Sequence, residues 1–295
     1  MSSRILNFGS INIDYTYSVE RISRPGETVS CTDLSLNSGG KGANQSLAAA
    51  RAGASVVHVG RIGREAYWII RRMEREGVDV SQIEVTDQPS GHAIIQVDKD
   101  GQNSIVIFGG TNRQIGDEQI DAVLDGAGPE DLVLVQNETS GVAHVLKQAA
   151  ERGLRVYFNT APMTGEVEGY PLELVHMFFI NETEGEALTG ETEAEAILDR
   201  MLERFSGARV VLTLGRRGVM YRDRDRSFIR GVERDVPVVD TTGAGDTFVG
   251  YFAAAVAEGR DIEDALALAN LAASYCVTRR GAADSIPRLS DLQGF

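Results

Sequence analysis

Basic side chains are scarce in this chain of 295 residues: 29 lysines and arginines stand against 43 aspartates and glutamates, giving a formal net charge of -14 and a pI near 4.8. Broad binding of a polyanion needs a basic surface, so composition argues against a nucleic-acid partner. A small anion is not excluded, because a few backbone amides at a helix terminus outweigh a distant, screened field. Cysteine is nearly absent. Cys31 and Cys276 show no CxxC or Cys/His spacing, which gives neither a zinc site nor a disulfide framework and fits a reducing cytoplasm. The four histidines, His58, His92, His144 and His176, are scattered without metal-ligand spacing. No apolar run reaches the roughly 18 to 20 residues that span a bilayer, and the opening MSSRILNFGSINID has no long apolar leader. Neither a membrane partner nor an export segment is expected.

What is present is a chain with 42% hydrophobic residues, long enough for a large core and read as one domain over 1–295. Short β-branched runs recur at Ile5 to Phe8, Val56 to Val59, Leu132 to Val135, Val156 to Phe158, Met177 to Ile180 and Val210 to Leu214. Helical, alanine- and leucine-rich stretches lie between several of them, such as Ser46 to Ala52 and Val142 to Glu151. That alternation predicts an α/β fold with a doubly wound, mostly parallel central sheet flanked by helices. Two stretches break the rhythm. Residues 92–108 read as a hairpin turning at Asp100 and Gly101, and 13–37 alternate polar and apolar residues around Pro25 and Gly26. Together they predict a small antiparallel β lid inserted in the core. The run Arg222 to Arg226 alternates in sign and reads as a solvated hairpin turn.

Two glycine runs carry the chemistry. In VVDTTGAGDTFVGYFAAAVAEG (238–259), Gly243, Ala244 and Gly245 lead into a helix with Phe248, Phe252, Ala255 and Val256 on one face. Small residues there leave first-turn amides open to an anion, and Asp246 holds a carboxylate beside it, suited to accept a proton from an attacking hydroxyl. The alternative is that Asp246 caps its helix. In LNSGGKGANQSLAAARAG (36–53), Gly39 and Gly40 again precede a helix, with Lys41, Asn44 and Gln45 as donors for a polyhydroxylated ligand. Asn12, Asp14, Glu138, Asn181 and Glu184 stand at strand ends, where open α/β sheets place ligands. Asn181 to Glu184 also has the spacing of a capping box.

GSINID, PGETV, GGKGANQ, NETE, TLGRRG, DTTGAGDTF and VTRRGA, in that order, make the chain similar to the ribokinase branch of the PfkB carbohydrate kinase family over nearly its whole length. The resemblance implies an ATP-dependent sugar kinase acting on D-ribose at O5, or on another sugar or a nucleoside; a non-catalytic sugar sensor is the alternative of another class. It implies that Asn12, Asp14, Gly40, Lys41, Asn44 and Glu138 hold the sugar while Asp246 acts as base, with Gly243, Ala244 and Gly245 as anion hole. ATP is expected against Asn181, Glu184, Thr213, Gly215, Gly218, Gly245 and Asn270, with Glu184 organising Mg²⁺ through water. A monovalent cation, usually K⁺, is implied at Asp240, Thr242, Cys276, Arg279, Gly281 and Ser285, mostly through backbone. A homodimer formed through the lid is also implied. The sequence departs from the family pattern at Thr160, at Ile180 and in segment 63–80 with its Tyr67 and Trp68.

Overall fold

The computed structural model describes residues 3–232 and 234–295. Among them the strands are β1 (Arg4–Phe8), β2 (Asn12–Val19), β3 (Cys31–Gly39), β4 (Ser55–Gly63), β5 (Asp79–Thr86), β6 (Gly91–Val97), β7 (Asn103–Phe108), β8 (Leu132–Gln136), β9 (Arg155–Asn159), β10 (Met177–Asn181), β11 (Arg209–Thr213), β12 (Val219–Arg222) and β13 (Ser227–Arg230). The α-helices are α1 (Lys41–Arg51), α2 (Tyr67–Arg75), α3 (Asp117–Asp125), α4 (Val142–Glu151), α5 (Glu182–Thr189), α6 (Ala194–Arg204), α7 (Ala244–Ala257) and α8 (Ile262–Cys276).

Nine strands form the central sheet in the order β13-β12-β11-β10-β9-β8-β1-β4-β5, parallel from β11 to β5 with an antiparallel edge hairpin of β12 and β13. The buried strands alternate between two cores. Leu132 and Leu134 of β8 face one core with α1, α2, α7 and α8, whereas Val133 and Val135 face the other with α3, α4, α5 and α6. The period-two alternation of side chains thus gives the sheet two apolar faces, each covered by helices. Because the chain winds outward from β1 to β4 and then returns to β8, the strand order reverses between β1 and β8. Ligands in such sheets bind at that reversal, outside the carboxyl ends of the strands.

The α/β expectation is met, and three details differ. The lid is a four-stranded sheet, β3-β2-β6-β7, in which β2 pairs with β6 in parallel, so it is mixed and not wholly antiparallel. Both hairpins leave the core in the same direction, β2 just after β1 and β6 just after β5, which runs parallel to β1 in the core. Helix α7 is buried on every face from Asp246 to Ala255, because α1 and α8 both pack against it. The edge strand β5 also went unpredicted, since most of its residues are exposed and polar.

Candidate active site

Close backbone packing assembles the site. Gly40 precedes α1 at φ 90°, and a Cβ on Gly42 would lie 2.3 Å from Gly9 Cα, so glycines alone let the start of α1 rest on the end of β1. Farther along, a Cβ on Gly250 of α7 would lie 2.5 Å from Ala48 Cβ and 2.6 Å from the Gln45 carbonyl of α1. This approach delivers two amides to Asp246: Asn44 Nδ2 donates to Oδ2 (2.9 Å) and Gln45 Nε2 to Oδ1 (3.0 Å). Asp246 is only 8% exposed. Its carboxylate does not cap α7; both oxygens accept from another helix. The N-cap of α7 is Gly243, at φ 78°, and the first-turn amides there lack intrahelical acceptors.

Beside Asp246 lie the other sugar-side candidates. Glu138 Oε2 accepts from Ser10 Oγ (2.5 Å) and from the Lys41 backbone amide (3.0 Å), which places a carboxylate on the N-terminus of α1. Asn12 Oδ1 accepts from Asn112 Nδ2 (2.7 Å), and Asn112 also accepts from the Ile11 amide, tying the base of the lid to the core. Asp14 on β2 sits against Gly39 on β3, where any Cβ would collide with its carboxylate. Burial first, and then the neighbouring charges of Glu138 and Asp246, push the Asp14 carboxyl up to about 7. Lys41 is held on the charged side, above its usual range, chiefly by Asp246 acting against burial, with Glu138 and Glu184 adding to it. Two buried oxygens have no protein partner here, Asn44 Oδ1 and Ser38 Oγ. Such groups await a ligand's hydroxyls or water.

Two adjoining cavities lie on the other side of Asp246. One, of about 220 Å³, is lined by Lys41, Asn181, Glu184, Gly243, Gly245 and Asp246 among others. The second, of about 330 Å³, includes Gly215, Gly218, Phe248 and Asn270, and shares Thr213, Thr241 and Gly245 with the first. Asn181 and Glu184 do form a capping box on α5, with Asn181 Oδ1 accepting from the Glu184 amide (2.9 Å). Glu184 Oε2 accepts from the Asn181 amide (3.0 Å) and from Thr160 Oγ1 (3.3 Å). Burial nonetheless raises the Glu184 carboxyl above its ordinary value, against these bonds and Lys41. Cap and cavity wall are the same residues. Asn270 donates to the Gly231 carbonyl (2.6 Å).

The expected cation ligands cluster behind Gly243, which packs on Ala282. Asp240 Oδ1 accepts from the Thr242 amide (2.9 Å) and hydroxyl (2.6 Å), and Oδ2 from the Gly281 amide (2.9 Å). Burial opposes this charge, but those bonds hold the Asp240 carboxyl below its usual range. Cys276 Sγ lies 3.0 Å from Ser285 Oγ and 3.8 Å from the Thr242 carbonyl, and burial pushes its thiol up. The Arg279 guanidinium instead stacks 3.7 Å from the Tyr275 ring, leaving only its backbone near the cluster. Carbonyls, a hydroxyl and a carboxylate are hard oxygen donors that suit an alkali cation. Among the described residues no three His, Cys, Asp or Glu side chains group as a metal cage.

The nucleotide-side candidates line the two cavities, Asp14 and Lys41 lie within electrostatic reach of Glu138 and Asp246, and the Arg279 side chain stacks on Tyr275 instead. Sequence reasoning left several others unassigned: Ser10, Asn112, Asn159, Thr160 and Gln136. Ser10 stands inside GSIN and Gln136 ends LVLVQ, but a lone neutral amide or hydroxyl in a loop or strand gives no spacing signal. No helix among the described residues is long and apolar enough to cross a membrane.

Comparison with known proteins identifies the family and the fold. Residues 2–289 match the family described as pfkB family carbohydrate kinase. A ribokinase of Haemophilus influenzae is 35% identical, covering 100% of this chain and 99% of its own length. A deoxyribokinase of Salmonella typhi is 30% identical, over 97% of this chain and 96% of its own. The structure of Arabidopsis thaliana ribokinase complexed with ribose and ATP superimposes with a TM-score of 0.87 at 31% identity, covering 99% of this chain and 98% of that one.

Proposed function

The chain belongs to the PfkB family of carbohydrate kinases, ATP-binding phosphotransferases with an alcohol group as acceptor, and we propose that it phosphorylates D-ribose at O5 with Asp246 as base. The observation that carries this reading is the position of Asp246, between the polar pocket of Asn12, Asp14 and Glu138 and the paired cavities behind Gly243 to Gly245. In this reading Asp246 takes the proton of the attacking hydroxyl. The amides of the first turn of α7 stabilise charge on the transferring phosphoryl group, and Lys41 offsets the carboxylates that surround it. Asn12, Asp14, Gly40, Lys41, Asn44 and Glu138 hold the sugar. The nucleotide lies against Asn181, Thr213, Gly215, Gly218 and Asn270.

Mg²⁺ would neutralise phosphate charge when bound, with Glu184 orienting its waters. K⁺ would be held by Asp240, Thr242, Cys276, Gly281, Ser285 and the Arg279 backbone, steadying the loop that packs on Gly243. We take 1–295 as a single kinase domain working in the cytoplasm. It pairs through the lid, where Leu34, Leu36, Ile94 and Ile105 to Phe108 are exposed; sedimentation showing a monomer at micromolar concentration would refute that.

A panel of D-ribose, 2-deoxyribose, hexoses and nucleosides in an ADP-release assay tests the substrate. A nucleoside exceeding ribose in kcat/KM by more than about tenfold, or roughly 1.4 kcal/mol of transition-state discrimination, ends the ribose reading. The deoxyribokinase relative makes deoxyribose the main competitor. Asp246→Asn is expected to abolish turnover while sparing sugar binding.

A further inference from the structure

A chain of buried neutral groups leads away from Asp246 through the core. Gln45 Nε2 donates both to Asp246 and to Asn159 Oδ1 (3.2 Å). Gln45 Oε1 accepts from Gln136 Nε2 (2.8 Å), which also donates to Asn7 Oδ1 (2.8 Å). Asn7 Nδ2 donates to the Gly42 carbonyl and to Ser46 Oγ, both at 2.8 Å. Ser46 Oγ then meets His58 Nδ1 at 2.8 Å, and His58 Nε2 meets the Gly9 carbonyl at 3.2 Å. Asn7, Gln45, Ser46, His58 and Gln136 are all fully buried.

The direction of every link is determined. A backbone carbonyl only accepts, so Gly42 O takes the Asn7 amide nitrogen and leaves Asn7 Oδ1 facing Gln136. Gln136 must therefore present its NH₂ group, Gln45 must turn its oxygen toward Gln136, and the Gln45 NH₂ group then faces Asp246. A second anchor agrees. Asn159 Nδ2 donates to the Phe179 carbonyl (3.0 Å), so Asn159 Oδ1 calls for the same NH₂ of Gln45. At the far end Gly9 O requires a proton on His58 Nε2, which leaves Nδ1 to accept from Ser46. Burial lowers the imidazole to about 4, keeping it neutral for that role. Gln136 Oε1 itself is buried without a protein partner, while its NH₂ group satisfies two buried acceptors, Asn7 Oδ1 and Gln45 Oε1.

We infer that Gln136 is a positioning residue for Asp246: acting through Gln45 and alongside the Asn159 anchor, it holds the amide orientation that presents a donor, and not an oxygen, to the base. This rests on Asp246 being the base. The test is steady-state kinetics of Gln136→Met, Gln45→Met and the double variant, with Asp246→Asn alongside. Loss of one hydrogen bond to a charged acceptor predicts that Gln136→Met lowers kcat about tenfold, keeps the sugar KM within about twofold, and loses activity roughly one pH unit earlier on acidification. The double variant is expected to be no slower than Gln45→Met, because the two act in series. Wild-type kcat and pH profile in Gln136→Met, or losses that multiply in the double variant, overturn the inference. Turnover by Asp246→Asn overturns the base assignment itself, and this inference with it. If Gln136→Met does not fold, Gln136→Glu serves, since a buried carboxyl offers one proton to two acceptors; an unchanged rate and pH profile there refute the positioning role equally.

Discussion

Replacing Asp14 by asparagine is expected to make the protein more stable in mild alkali and a worse sugar binder. The folded protein holds the Asp14 carboxyl near 7 through burial and the charges of Glu138 and Asp246, against 3.8 for a free aspartate. The native state therefore keeps a proton that the unfolded chain has already released. The associated stability is fully present below about pH 4, and is lost as pH rises until the folded group ionises near 7. Between pH 5 and pH 8 the remaining two pKa units correspond to about 2.7 kcal/mol, which solvent at the pocket mouth trims to roughly 2 kcal/mol. For a chain of this length that is about 3 °C in Tm. Asparagine does not ionise, so Asp14→Asn is expected to gain about 3 °C on the wild type between pH 5 and pH 8 in scanning calorimetry. Titrations common to both proteins cancel in that difference. A Tm gap that does not change with pH, or one that moves the other way, would refute the electrostatic account of this pocket. Calorimetric titration with ribose should show the accompanying loss of affinity.

Two further substitutions probe the frame. Gly250→Ala brings a methyl group to 2.5 Å from Ala48 Cβ, and is expected to cost about 1–3 kcal/mol as α1 and α7 are forced apart, with kcat falling as the Asn44 and Gln45 bonds to Asp246 lengthen; urea unfolding and initial rates measure both, and unchanged values would show that this contact does not set the site. Asp240→Ala removes the bonds that tie Thr242 to Gly281, so activation by K⁺ is expected to weaken at least tenfold; a K⁺ titration identical to wild type would move the cation elsewhere.

Much of the fold was legible because its signals are local. Apolar runs of three to five residues marked the central strands, and Asp100 with Gly101 marked the lid turn; α4 spans Val142–Glu151 as its spacing predicted. The parallel pairing of β2 with β6 was not legible, since it depends on the direction in which each hairpin leaves the core. The charged and glycine-flanked site residues stood out for their chemistry. Gln45, Gln136, Asn7 and Asn159 could not be joined from the sequence alone, because four neutral amides on separate elements become one network only after the sheet order is fixed. The embedded α7 shows the same limit, for a helix between two others needs no polar face.

The lid is fastened near the start of β2. Asn112 grips Asn12 at the start of β2, and the parallel register sets Gly91 of β6 beside that same point, while the turn at Asp98 to Gly101 lies at the far end. The eight residues of β2 extend about 25 Å at roughly 3.3 Å each, so the sheet is a lever with its fulcrum at Asn12. A tilt of about 10° would carry the tip some 4 Å but Asp14 only about 1 Å. Mechanical leverage of this kind would let the rim sweep widely while Asp14 and its neighbours near the fulcrum stay almost still.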